Sequence, residues 1–290
     1  MAVNFDNVPA YVEQEKLGLI KRTVLGGKTL SYFNVQADVK GTATINIFDV
    51  TPELQVGGCG FEDAGSTKIS QRQIATKLLK VNKSICDKDF LGYFTSYAVK
   101  VGAGKEVLPF EEMFTNGIVE KVNEAVEKMI WTGNDSANQF KGILPILAEE
   151  EDVIKVSGTG AYETVKKVYM AIPENILDKA VIFVGQDTFR SLTMDLLDKN
   201  YFHYSADSNL TEIVLPATNT KVVALAGLNG SKKIVAGDPA NFYYGCDMMN
   251  DAESFDLWYS KDNREWRIAI QFNGGVQVAF VDEVVEGTLA

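Results

Sequence analysis

One stretch, PFEEMFTNGIVEKVNEAVEKMIW from Pro109 to Trp131, constrains the fold more than any other. Phe110, Met113, Phe114, Ile118, Val122, Val126 and Met129 or Ile130 recur at steps of three and four. Glu111, Glu112, Glu120, Asn123, Glu124, Glu127 and Lys128 fill the opposite side. Apolar and polar faces segregated at this period define an amphipathic helix. Pro109 suits its first turn, where a missing N–H costs nothing. Glu111 and Glu112 complement the positive end of the dipole, and Gly133 can close it. At 1.5 Å per residue the helix is about 33 Å long, enough to brace the whole chain.

The residues before it have no comparable support of their own. Residues 1 to 39 mix short apolar pairs with Pro9, Gly18 and Gly26-Gly27 and hold no sustained period, which predicts an extended arm needing a neighbour. Ala43, Ile45 and Ile47 then alternate in a β-branched strand, VGGCGFEDAGST makes a glycine-rich tip, and KISQRQIATKLLKV returns, so residues 40 to 82 read as a long hairpin. A lone hairpin is marginal in water, so a second copy of the chain is the simplest cover for it. SICDKDFLGYFTSY, residues 84 to 97, reads as a short helix or turn.

Beyond the helix, NQFKGILPIL is a buried apolar run after a turn. GTGAYETVKKVYMAI is a second amphipathic helix, with Tyr162, Val165, Val168, Tyr169 and Ile172 on one side. The continuous apolar run Val181-Ile182-Phe183-Val184 predicts a strand covered on both faces. QDTFRSLTMDLLDKN follows as a helix with Phe189, Leu192, Leu196 and Leu197 inward. With EIVLPA, KVVALAG and KKIVAGD as further strands, residues 143 to 236 form an α/β unit. The last segment reads as long antiparallel strands: a turn at Lys261-Asp262-Asn263, then Trp266, Ile268, Ile270 and Phe272 at period two, a break at Gly274-Gly275, and a final run from Val276 to Val281.

A chain of 290 residues with 46% apolar and 23% charged residues is an ordinary globular composition. Its net charge of −11, with no dense block of Lys and Arg, argues against a surface built to grip nucleic acid. MAVNFDNVPAYVEQEKLG lacks the basic segment and apolar run of a secretion signal, and no run approaches the ~20 apolar residues of a membrane span, so cytosol-like surroundings are expected. Cys59, Cys86 and Cys246 have no metal-ligand spacing and read as reduced structural thiols.

A search for chemistry finds no enzyme. His203, the single histidine, has no G-x-S-x-G nucleophile to serve and reads as a packing or surface residue. Gly26-Gly27-Lys28-Thr29 lacks the leading glycine of a phosphate loop, where Arg22 stands, and Gly102-Ala103-Gly104-Lys105 is followed by Glu106 instead of Ser or Thr; both read as turns. Glu149-Glu150-Glu151-Asp152 reads as a solvated loop, at most attracting a cation, and Asn209-Leu210-Thr211 is a formal glycosylation sequon without a secretion route. No catalytic, cofactor-binding or metal-binding residue is assigned, and no cofactor is expected.

In order and spacing the chain resembles the major capsid proteins of tailed bacteriophages, an α+β architecture known as the Hong Kong 97-like fold. The resemblance runs through nearly the whole length. It is carried by the helix entering IWTGN and QFKGIL, by AVIFVGQDTFRSLTMDLLDKN, by IVAGDPANFYYG and by REWRIAIQFNGGVQVAFVDEVV. It implies an N-terminal arm (1–39), an extended β-hairpin loop laid over an adjacent subunit (40–82), a peripheral domain with a spine helix (83–142, spine 109–131), an axial domain (143–236) and return strands of the peripheral domain (237–290).

The function so implied is self-assembly into pentamers and hexamers of an icosahedral shell around double-stranded DNA, formed in the host cytoplasm. The main partner is the chain itself, and the DNA is enclosed without sequence-specific binding or a membrane. The resemblance also allows for portal and decoration proteins and, since no long helical preface precedes the hairpin, a separate scaffolding protein. One kind of member crosslinks its subunits through Lys and Asn; no matching pattern is found around Lys68, Lys77 and Lys80, which read as surface lysines. Two other readings are an encapsulin-type nanocompartment shell, although MAVNFDNVPA lacks the helical start usual there, and a soluble α/β enzyme centred on residues 143 to 236.

Overall fold

The long amphipathic segment is helical from Phe110 to Thr132 and is designated α1. The computed structural model describes residues 19, 22, 23, 25–53, 57, 65–86, 110–199, 211–215, 218–247 and 254–290. Pro109, His203, Cys59, the Gly102–Lys105 turn, residues 1–18, residues 87–97 and most of the expected hairpin tip lie outside the described residues, as do the side chains of Phe110, Met113 and Phe114.

On α1, Val119, Val122, Val126 and Ile130 are buried, with Ile118 and Met129 packed beside them. The apolar stripe thus follows the expected period. Glu127 departs from it: placed on the polar side by sequence, it is buried. Gly133 closes the helix by donating its N–H to the Met129 carbonyl at 2.9 Å. A side chain could not replace its hydrogen, because a Cβ there would lie 2.2 Å from the Phe140 carbonyl oxygen. The bridge between Asn134 and Lys141 then turns the chain back, seating Phe140 and Ile143 in the core beneath α1.

On one side of α1 lies a six-stranded sheet. Its strands are β5 (Ile154–Gly158), β6 (Val181–Gly185), β7 (Glu212–Val214), β8 (Lys221–Leu225), β9 (Lys233–Gly237) and β13 (Val285–Leu289), in the order β5-β13-β9-β6-β8-β7. β6 is buried on both faces, as its unbroken apolar run required. Ile182 and Val184 join the core made with α3 (Ala161–Ala171) and α4 (Gln186–Asp198), whereas Phe183 packs on Trp131 of α1. The turn at residues 226–228 approaches α1 so closely that a Cβ on Gly227 would lie 2.4 Å from the Glu127 carbonyl oxygen.

Two expectations for this unit need correction. Leu197 is exposed, because Leu196 takes the inward position and the next residue on a helix is rotated about 100° away. β13 was expected among the return strands of residues 237–290. It instead inserts between β5, to which it is parallel, and β9, to which it is antiparallel.

The second sheet contains β1 (Asn34–Gln36), β10 (Phe242–Gly245), β11 (Ser254–Ser260), β12 (Glu265–Val278) and β4 (Lys77–Cys86), with β4 and β11 both antiparallel to β12. β12 does not break at Gly274-Gly275 but runs through it. The glycines provide clearance: a Cβ on Gly275 would sit 2.3 Å from the Ala75 carbonyl oxygen, and one on Gly274 3.1 Å from Phe140 and the Tyr244 hydroxyl.

The hairpin expected over 40–82 is shorter than its sequence pattern. β2 (Thr42–Pro52) and β3 (Gly65–Ala75) pair from Thr42↔Ala75 to Pro52↔Gly65, and Thr76 alone separates β3 from β4. The return run therefore serves two structures, since Leu79 is buried and Val81 and Ile85 pack against the core under α1. Residues 84–86, expected in a helix or turn, continue β4.

Candidate assembly surfaces

The β2–β3 arm is anchored at its root, and its described residues further out include exposed apolar ones. Ile45, Ile47 and Ile74 are buried against Ala279, with Tyr243 and Phe280 alongside, so the base needs no second molecule to cover it. The outer face differs: Phe48 and Ile69 are cross-strand partners, 64% and 67% exposed. The two thus form an exposed cross-strand apolar pair on the arm. A second apolar surface is the groove of about 840 Å³ between α1 and β4, whose walls include Leu78, Ile118, Ala125, Met129 and Phe272, with Lys80, Lys83 and Lys121 at its margins.

Behind the arm, the segment from Gly26 to Phe33 fills the joint between α1 and both sheets. Gly26-Gly27-Lys28-Thr29 is the turn that sequence implied, leading into a short 3-10 helix at Thr29–Ser31. Its hydrogen bonds were not foreseen. The Lys28 amide donates to Glu127 Oε2 at 3.2 Å and Thr29 Oγ1 donates to Glu127 Oε1 at 3.1 Å, while Trp131 Nε1 donates to Thr29 Oγ1 at 3.0 Å. These partners explain how a carboxylate is tolerated inside, since a buried acceptor is costly only when it is unmatched. Phe33 adds a stacked contact with Phe242, 5.1 Å between centroids, and edge contacts with Trp131 and Phe183.

The same segment reaches the edge of the six-stranded sheet. Tyr32 donates its hydroxyl to Glu212 Oε1 at 2.7 Å, and Lys28 Nζ lies 3.5 Å from that oxygen. Burial, and then the Glu212 carboxylate, push the Tyr32 hydroxyl up to about 12. Glu212 is held below the usual carboxylate range, first by the Tyr32 hydrogen bond and also by Lys28, with partial burial opposing.

The acidic run at residues 149–152 is not merely a solvated loop. Glu150 pairs with Arg72 of β3 at 2.8 Å, and Glu149 pairs with Lys141. Glu286 on β13, almost fully buried, pairs with Lys233 of β9 at 2.7 Å. Lys77 binds Asp135 and the carbonyls of Ser136 and Gln139, whereas the side chain of Lys68 lies outside the description. Cys86 is an exposed thiol, and Cys246 is buried. Among the described residues no group of three or more His, Cys, Asp or Glu side chains could hold a metal ion. Within the same residues no helix is long and apolar enough to cross a membrane.

The fold, two sheets joined by a long helix with a two-stranded arm at the root of one of them, is similar to that of chains solved in phage structures. A chain of the satellite phage P4 procapsid, in a structure that includes the size determination protein, superposes with a TM-score of 0.63 at 12% identity, covering 98% of this chain and 96% of that one. A chain of Gordonia phage Cozz gives 0.59 at 11% identity, over 90% and 86% of the two chains. The virus-like particle from Pyrococcus furiosus gives 0.54 at 10% identity, over 97% and 99%. No family model and no curated protein sequence matches. At identities this low the likeness is one of fold.

Proposed function

We propose that this chain is the major capsid protein of a tailed bacteriophage, with a Hong Kong 97-like subunit that assembles into the pentamers and hexamers of an icosahedral shell around double-stranded DNA. The observation that carries the reading is the arm: within a fold matched from end to end by a procapsid chain, β2–β3 leaves Phe48 and Ile69 exposed, and among the described residues its own chain covers the root. A neighbouring subunit supplies the cover, and many modest contacts of this kind sum to a stable shell. On this reading α1 is the spine, the six-stranded unit is the axial domain and the five-stranded sheet is the peripheral domain. The role is structural, without catalysis; assembly takes place in the host cytoplasm, and portal, scaffolding and decoration proteins are external partners. The chain's negative charge suits a wall that encloses DNA without holding it.

A second reading keeps the shell and changes its contents. The end-to-end match to the virus-like particle from Pyrococcus furiosus favours an encapsulin-type nanocompartment. Electron microscopy of the purified chain tests what the two share: rings or closed particles are expected, and a dispersed monomer at high concentration would refute both. Particles isolated from the natural source separate them, with DNA inside for a virion and a co-purifying protein cargo for a compartment.

A further inference from the structure

We propose that the Arg72–Glu150 ion pair is a latch that sets the angle at which the arm leaves its own subunit, and so the curvature at which neighbours join; the second half rests on the shell reading. Thr76 and Gly41 form the joint at the arm's root. The Thr76 amide donates to the Gly41 carbonyl at 2.6 Å, and the Gly41 amide is 3.1 Å from Thr76 Oγ1. Gly41 has φ +84°, a conformation that favours glycine, with open space where a Cβ would stand. Among the described residues the other tethers include the apolar packing of Ile45, Ile47 and Ile74, the close crossing of Ala75 on Gly275, the bond from Thr76 Oγ1 to the Val39 carbonyl at 3.2 Å, and one from Gln277 Nε2 to the Gln73 carbonyl at 2.9 Å.

Arg72 is placed to fix what these leave loose. It faces Ile45 across the ribbon and binds Glu150 at 2.8 Å; among the described residues this is the ion pair joining arm to body. Glu150 is held on the body side, just after α2 (Ile143–Glu149), where its carbonyl accepts from Lys155 Nζ at 3.2 Å and the preceding Glu149 is paired with Lys141. From the Gly41–Thr76 root to the Phe48–Ile69 pair the ribbon extends about 23 Å. A rotation of about 15° at the root therefore moves that pair by about 6 Å, roughly two residues along a strand. One charge pair near the pivot governs where Phe48 and Ile69 arrive.

The test is a charge swap read in two ways, on Arg72→Glu, Glu150→Arg, the double variant and the shape-conserving Glu150→Gln. In the unassembled subunit, amide exchange of residues 42–48 and 69–75 should speed up at least fivefold in each single variant and return to within twofold of the parent in the double, while exchange in β6 stays unchanged. In electron micrographs the single variants should give a broad spread of particle sizes and the double a narrow one. Unchanged exchange in Glu150→Gln and both reversals, or a double variant no better than the singles, would overturn the latch. If exchange follows the swap but neither parent nor double variant forms particles, the latch stands and the shell reading fails.

Discussion

The indole N–H of Trp131 ends on Thr29 Oγ1 at 3.0 Å, and that hydroxyl passes its own hydrogen to Glu127. One threonine thus satisfies two buried polar groups on successive turns of α1, from a segment about a hundred residues away in sequence. Thr29→Val keeps the shape and removes the hydroxyl, leaving both groups short of a partner. A loss of about 1–3 kcal/mol is expected, with Thr29→Ser close to the parent, measured by urea unfolding followed through tryptophan fluorescence.

Val122 and Glu124 test which face of α1 is inside. Val122 is 7% exposed in the main core, whereas Glu124 stands in solvent with Lys121 as its i−3 partner at 2.9 Å. Val122→Asp buries a charge without a partner and should abolish folding and assembly together. Glu124→Lys should leave the unfolding midpoint and the particles unchanged, since exposed pairs contribute little. Normal particles from Val122→Asp would mean that the buried face has been misassigned.

Titration separates the two ends of the Tyr32–Glu212 contact. The Glu212 carboxyl lies below its ordinary value in the folded chain, so the unfolded chain takes up its proton first as pH falls. The contact's contribution is present above the ordinary carboxylate range and is lost in acid. Tyr32 lies at about 12 against an ordinary 10, so between those values the unfolded chain loses its proton first and stability declines as pH rises. Tyr32→Phe should flatten the alkaline decline and weaken the acid one, read from urea midpoints across pH 3–11.

The outer pair of the arm should matter to assembly and not to folding. Phe48 and Ile69 are about two-thirds exposed, so replacing both by Ser costs the lone subunit little. The double variant should keep the parent's thermal midpoint and circular dichroism while its particle yield falls at least tenfold by sedimentation. Full yield would show that the surface is not a contact.

The parts of the fold legible in sequence are those whose pattern one element decides alone. The period of α1 placed Val122, Val126 and Ile130 inside, and the unbroken run of β6 announced cover on both faces. Glu127 was misread because its burial depends on Thr29 and the Lys28 amide, donors no local period reveals. The only hint was its position between Val126 and the Ile130-Trp131 pair. Gly274-Gly275 resembled a break because a strand interior seldom needs glycine; the reason, the crossing of Ala75, lies about two hundred residues away. The arm's exposed pair was half legible, since alternation marked Ile45 and Ile47 as one face but could not say that the ribbon's base would find cover on Ala279.

The place of β13 has a consequence in time. β5 and β9 are joined only through residues 285–289, so until these are in place the six-stranded sheet is a lone strand, β5, and a four-stranded piece with an open edge at β9. Burial of Glu286 against Lys233 waits for the same moment. A chain lacking residues 285–289 would leave an edge of β5 and an edge of β9 unpaired, each a ready template for pairing with another chain.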